Sequence, residues 1–254
     1  MSTELIYECT EGIATFTINR PDARNAISLS LAKEIAKAMD DFERNPDARV
    51  GIITGTRKFF SAGMDLKGFL RGEIPSIDGK GFAGFVESPP SKPIIAAVEG
   101  FALAGGFEMV LACDLIVAAE NAIFGLPEVT RGIVASAGGL LKLPLQIPHH
   151  IAMEIILTGS QWPASDAFRY GLINRLAPEG SALEVARSLA ATIALNAPLA
   201  LAASKKVVTE SVDWLVTEEY ERQFSLVDPI RKSVDAQEGS RAFIEKRSPR
   251  WTGK

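Results

Sequence analysis

Three short runs, VGIIT at 50–54, PIIAAV at 93–98 and LIVAA at 115–119, carry almost no polar residue. A strand with one wet face alternates apolar and polar side chains. Runs without that alternation read as strands covered on both faces, the situation of a parallel sheet. Parallel neighbours cannot be joined by tight hairpins; each needs a crossover, most often a helix. The chain has segments that fit. Ser30 is expected to cap a helix running to about Arg44, with Leu31, Ile35, Ala38, Met39 and Phe42 on one face, and Asn45-Pro46 stops it. Upstream, residues 4–18 alternate as two strands about Glu11-Gly12, a hairpin signal.

Further along, residues 59–66 read as a turn entering a short helix, and a second helix is expected up to about Cys113. Residues 71–92, rich in Gly, Pro and Ser, are expected to form a mobile insert or lid, and 122–124 a short strand. From Ser136 the pattern is helical, with segments at 152–158, 163–170, 182–196, 198–209 and 212–226. Strands alternating with helices, then helices alone, give an α/β fold: a core over 1–195 and a C-terminal helical region over 196–254.

The 254 residues, 47% of them hydrophobic, suffice for one large domain with an appendage. A formal charge of −4 gives no reason to expect nucleic acid or an anionic membrane as partner. Cys9 and Cys113 form no CxxC motif, which points to a reducing cytosol and no structural metal. The N-terminus lacks a basic start and an apolar signal core, and the apolar stretches are too short for a membrane span, so a cytoplasmic location is expected.

Two glycine-bearing turns, Ser61-Ala62-Gly63-Met64-Asp65 and Ala104-Gly105-Gly106, fall where an apolar strand meets a helix. Backbone N–H groups at a helix start have no partner within the helix and sit at the positive end of its dipole. Two of them converging on one oxygen make an oxyanion hole, and glycine leaves room for the approaching carbonyl. The other reading, on these residues alone, is close packing of strand against helix.

The chain resembles the crotonase, or enoyl-CoA hydratase/isomerase, superfamily over essentially its full length. The resemblance is carried by Asn19-Arg20-Pro21 with Arg24-Asn25-Ala26, by Phe60-Ser61-Ala62-Gly63-Met64-Asp65-Leu66, and by Gly100 to Glu108 with Cys113-Asp114. Phe124-Gly125-Leu126-Pro127-Glu128, Gly138-Gly139 and Ala242-Phe243-Ile244-Glu245-Lys246-Arg247 complete it. It implies the crotonase (ClpP-like) fold of repeated ββα units, with C-terminal helices used to form a homotrimer or a hexamer built as a dimer of trimers. It implies an acyl-CoA thioester substrate and no separate cofactor, metal or redox group. The oxyanion donors become the N–H groups of Met64 and Gly105. CoA is implied near Ala62, Asp65 and Leu66, with Arg24 and Lys67 toward its phosphates. Phe243 and Lys246 match positions that reach the CoA of a neighbouring subunit. Arg24 and Lys67 as solvated cations, and Phe243 as a packing residue, are the alternatives.

Glu108 sits one turn into an apolar helix and Glu128 follows Phe124-Gly125-Leu126-Pro127. Buried carboxylates are costly and carry raised pKa values, and on these residues alone the other reading is a structural pairing of each with a buried Arg or Lys. Both match the two glutamates with which hydratases of this family add water across a 2-enoyl thioester, one as base and one as acid. Isomerisation or carnitinyl-CoA-type dehydration is the nearby alternative, and non-catalytic acyl-CoA binding the distant one. Ala135-Ser136 stands where hydratases of the family commonly have Pro-Gly. Ser136 is expected to cap the following helix, the alternative being contact with a polar acyl substituent. Arg131, where an apolar residue is common, meets either an acidic acyl tail or solvent. Met64 is larger than the usual residue at its place. His149 and His150 are expected on a surface loop, and Asp114 as a structural partner.

Overall fold

A computed structural model describes residues 3–56 and 58–254. Its first hairpin, β1 (Leu5–Thr10) and β2 (Ile13–Ile18), turns at Glu11 and Gly12, both with positive φ as a tight hairpin turn requires. Helix α1 (Leu29–Arg44) buries the five residues expected on its inner face. Its cap is Ser28, not Ser30: the Ser28 hydroxyl accepts the Leu31 N–H at 3.1 Å, while Ser30 turns its own to Glu4. Then come β3 (Val50–Gly55), the short α2 (Leu66–Phe69), and a small hairpin of β4 (Ser76–Ile77) and β5 (Gly81–Phe82). The next group is β6 (Ile94–Val98), β7 (Phe101–Leu103), α3 (Gly105–Leu111), β8 (Leu115–Ala119) and β9 (Ile123–Gly125). A 3₁₀ turn at Pro127–Arg131 leads to α4 (Gly139–Gln146) and α5 (His149–Thr158). Strand β10 (Trp162–Pro163), α6 (Ala164–Arg169), β11 (Arg175–Ala177) and α7 (Ala182–Ala194) close the core. Helices α8 (Pro198–Glu210), α9 (Glu219–Arg231) and α10 (Val234–Glu245) follow.

The main sheet has the order β1-β2-β3-β6-β8-β11, parallel from β2 onward. Its alternating side chains explain the uninterrupted apolar runs. Val50, Ile52, Ile95, Ala97 and Val117 point to one face and meet Ala182, Ala186 and Ala190 of α7. Ile53, Ile94, Ala96, Val98 and Ile116 point to the other, into the larger core with α1 and α3. A second sheet, β10-β9-β7, is extended by single parallel bridges from Ala102 to Ser61 and, in the next segment over, from Met64 to Ile27.

Residues 71–92 are not a loose insert. Ala83, Phe85 and Val86 are fully or almost fully buried in the core, and the β4–β5 hairpin packs on α1. Glycine-rich composition suggested mobility, but the Phe-Ala-Gly-Phe-Val stretch provides apolar area enough to dock it. His149 and His150 lie in the exposed first turn of α5 rather than in a loop, because Pro148 already has the backbone conformation that starts a helix. Strands β10 and β11 were not expected; each is only two or three residues long and takes its conformation from its neighbour. Asp114 is structural: it accepts the Ile94 N–H at 2.7 Å and pairs with Lys205 of α8 at 2.7 Å. Among the described residues no single helix is long and apolar enough to cross a membrane.

Candidate active site

The site begins with a scaffold between β2 and α1. Asn25 is fully buried and gives its amide to the carbonyls of Thr56 and Phe59 while its oxygen accepts the Arg20 N–H. Ser61, also fully buried, donates to the Asn25 carbonyl at 2.8 Å and accepts the Gly63 N–H at 3.1 Å. The Leu103 N–H in turn reaches the Ser61 carbonyl at 3.0 Å. These bonds press the 61–64 turn against the 103–105 turn. A Cβ on Gly63, whose φ is +90°, would lie 2.9 Å from the Gly105 nitrogen. Only glycine tolerates both that conformation and that approach.

Met64 and Gly105 follow directly on these turns. Neither N–H has a hydrogen-bond acceptor among the described residues, and both residues line one cleft. Gly105 opens α3, so its N–H also lies at the helix's positive end. Ala104 before it holds φ 52° and ψ −132°, a strained conformation for a residue with a side chain. Its carbonyl accepts from Phe107 and Glu108, and its N–H is tied to Gly125, so the strain is held from both sides.

Glu108 lies one turn into α3 and is 3% exposed; its Oε1 accepts the Gly139 N–H at 2.9 Å. Burial pushes its carboxyl above the ordinary range, against the pull of the Gly139 and Ala137 N–H groups and the Lys142 ammonium. Glu128, in the 3₁₀ turn after β9, is 5% exposed, and its Oε2 is buried without a hydrogen-bond partner. Burial, with a smaller contribution from Glu108, raises its pKa to about 7, although its own N–H and Arg131 act the other way. No ion pair holds either carboxylate among the described residues. Both are therefore available to chemistry.

The cleft that these groups share has a volume of about 520 Å³. Of the residues expected at the site, Arg24, Ala62, Leu66, Arg131 and Ser136 line it together with Met64, Gly105 and both glutamates. Asp65 does not: its carboxylate caps α2 through the Lys67 and Gly68 N–H groups and pairs with Arg20 at 3.0 Å. Lys67 is exposed just outside. Phe243 and Lys246 lie at the end of α10, away from the cleft, with Phe243 86% exposed. Ser136 does not cap α4. Gly138 holds the cap position at φ 98°, and the Ser136 hydroxyl has no partner among the described residues. Among the lining residues not singled out in the sequence are Phe82, within the stretch expected as a lid, and Gln161, in the short link before β10. The Gly-Phe-Ala-Gly-Phe pattern was the available signal for Phe82; Gln161 offered none.

Comparison with known proteins identifies the family. The enoyl-CoA hydratase/isomerase family profile matches residues 8–254. A carnitinyl-CoA dehydratase of Salmonella typhi is 44% identical over the whole of both chains. The crystal structure of an enoyl-CoA hydratase from Mycobacterium marinum superposes with a TM-score of 0.97 at 50% identity, covering 99% of each chain. A carnitinyl-CoA hydratase structure from Mycobacterium avium does so at 0.81 and 42%, over the full length of both. With two unpaired amides and two buried glutamates lining one cleft on this fold, the chain belongs to the enoyl-CoA hydratase/isomerase family, within the crotonase superfamily.

Proposed function

We propose that the protein is a hydro-lyase that adds water reversibly across the double bond of a 2-enoyl-CoA thioester, giving a 3-hydroxyacyl-CoA. The observation that carries this reading is the unpartnered Glu128 Oε2 buried in the same cleft as Glu108 and the two unaccepted N–H groups. A protein that only bound the thioester would gain nothing from two desolvated carboxylates, each costly to bury.

The thioester oxygen sits between the N–H groups of Met64 and Gly105. As negative charge develops there in the enolate, each donor contributes about 2.7–4 kcal/mol. Glu108, whose pKa burial raises while the Gly139 N–H and Lys142 partly offset that rise, takes in its ionised form a proton from the water that attacks C3. Glu128, with a pKa of about 7, is protonated in a large fraction of molecules near neutrality and delivers its proton to C2. Dehydration runs the same steps backward with the roles exchanged. CoA lies along Arg24, Ala62 and Leu66, with Lys67 just outside the cleft for its phosphates.

A dehydratase acting on a carnitinyl-type 3-hydroxyacyl-CoA is the second reading, favoured by the full-length similarity to carnitinyl-CoA dehydratases. The protein assembles as a homotrimer or dimer of trimers. In support, α8 and α9 bury no residue of their own, while Val208, Val216 and Phe243 lie open on the C-terminal region. Phe243 and Lys246 then reach the CoA of a neighbouring subunit. The setting is cytoplasmic acyl-CoA metabolism, with β-oxidation as the route.

The test is hydration of crotonyl-CoA and longer enoyl-CoAs, followed as loss of the conjugated thioester absorbance. E108Q and E128Q should each lower kcat by about 10²–10⁴-fold while CoA-ester binding persists. Tight binding by the wild type with no turnover at any chain length would establish a binder instead.

A further inference from the structure

The cleft wall beyond Glu128 carries polar groups that the hydration chemistry does not use. Arg131 ends the 3₁₀ turn that begins at Pro127, next to Glu128, and lines the cleft. Only its Nη1 is engaged, with the Pro127 carbonyl at 3.2 Å and the Thr130 hydroxyl at 3.5 Å. Its Nε and Nη2 have no acceptor, and no carboxylate lies within ion-pair distance among the described residues. Ser136 and Gln161 line the same cleft with side chains that make no hydrogen bond among the described residues. The 159–161 link packs onto this turn: a Cβ on Gly159 would sit 2.7 Å from Thr130 Cγ2 and 3.3 Å from Pro127 Cα.

On the proposed chemistry the amides of Met64 and Gly105 take C1 and the glutamates bracket C2 and C3, so Arg131, in the same turn as Glu128, is assigned to the acyl side of the cleft. The pocket also contains Ile133 and Val134, which suit methylenes. A guanidinium whose Nε and Nη2 remain free to donate is the side chain best matched to a carboxylate. A quaternary ammonium, by contrast, has no proton to donate and meets like charge.

We infer that Arg131 is a specificity-determining residue, selecting an enoyl-CoA whose acyl chain ends in a carboxylate and rejecting one that ends in a trimethylammonium. Ser136 and Gln161 offer further hydrogen bonds to the same tail. This rests on the hydratase reading for its kinetic test, and on the cleft alone for its binding test.

Because Arg131 also bears on Glu128, the ratio between substrates, not the absolute rate, is the readout. Hydration is measured with crotonyl-CoA (neutral), glutaconyl-CoA (terminal carboxylate) and 4-trimethylammonio-crotonyl-CoA, for wild type, R131L, R131K and R131E. The wild type should prefer the carboxylate over the neutral tail in kcat/KM. R131L should cut that preference about 10–100-fold, as expected for one lost charge-assisted hydrogen-bonded pair. R131K should keep part of it, and R131E should shift preference to the ammonium. Binding of the saturated esters glutaryl-CoA and butyryl-CoA, measured by calorimetry with wild type and R131L, reads the same preference without turnover. If no substrate turns over but glutaryl-CoA binds tighter in an Arg131-dependent way, the hydratase reading fails and the carboxylate site stands. An equal loss for all three tails in R131L, as from a phosphate contact with CoA, overturns the proposal. So does a wild type that prefers the ammonium tail.

Discussion

The Gly139 N–H reaches Glu108 Oε1 at 2.9 Å, and a Cβ on Gly139 would come within 3.1 Å of that same oxygen and of Glu108 Cγ. The glycine at the start of α4 thus both orients the Glu108 carboxylate, the proposed base, and leaves it room. Gly139→Ala keeps the hydrogen bond in principle, since the residue has no left-handed φ, but displaces the carboxylate by a few tenths of an ångström. We expect kcat to fall about tenfold or more with a smaller change in KM, because geometry at the reacting atoms is lost while the thioester contacts stay. Steady-state kinetics with crotonyl-CoA decides; an unchanged kcat removes Gly139 from the positioning of Glu108.

The acid role of Glu128 predicts a pH profile. With its pKa raised to about 7 by burial, kcat/KM for hydration should fall as pH rises above about 7, by about tenfold per pH unit at the limit. E128Q, whose amide cannot titrate, should lose that limb and retain only a low, flatter activity. A wild-type profile that stays level between pH 6 and 9 would contradict the assignment.

Stability should carry the same signature. Below pH 4.5 the Glu128 carboxyl is protonated in folded and unfolded chains alike and imposes no penalty. As pH rises, the unfolded chain releases this proton first and the folded chain only near 7, so the group's contribution to stability is lost across that window. At pH 8 the buried charge costs on the order of 3 kcal/mol. E128Q should therefore gain stability relative to wild type from pH 4.5 to pH 8. Urea unfolding at the two pH values measures it, and a difference independent of pH would show that Glu128 ionises as it does in water.

Ala104 is the strained hinge before the Gly105 donor, with φ 52° and ψ −132°. Ala104→Gly relieves that strain, partly offset by the greater freedom of glycine in the unfolded chain. The net gain should be about 1 kcal/mol, seen as a rise in Tm of about 2–4 °C. A lowered Tm would mean that the methyl group's packing outweighs the backbone strain.

Asp65 marks a limit of motif reading. It stands within the stretch that the family resemblance connects with CoA, yet its carboxylate is spent on the first N–H groups of α2 and on Arg20. Asp65→Ala should cost about 1–2 kcal/mol, the loss of a cap with its partly exposed ion pair, in thermal denaturation. A loss of CoA-ester affinity with no loss of stability would return Asp65 to the binding site.

Much of the site was legible locally. Three unbroken apolar runs specified strands covered on both faces, because side-chain alternation is a property of neighbouring residues. The glycines at 63 and 105 and the glutamates at 108 and 128 stood out for the same reason: each is odd for its immediate surroundings, a turn at a strand end or a charge among apolar residues. Helix caps were less legible. Ser28 and Ser30 both suit the role and both give their hydroxyls to Glu4, but only Ser28 has the extended backbone of a cap and accepts the Leu31 N–H, while Ser30 already lies within the helix.

The amino-acid order alone thus determined most of the longer helices and strands and the chemical character of the candidate site groups, since both follow largely from short-range geometry and side-chain type. Only the tertiary structure decided which groups meet. The closeness of the 63–64 and 104–105 turns, the hold of Gly139 on Glu108 and the docking of Phe82 beside the cleft all depend on contacts between distant segments. Such contacts are selected by the packing of the whole core, in which no single stretch of chain contains its own partner.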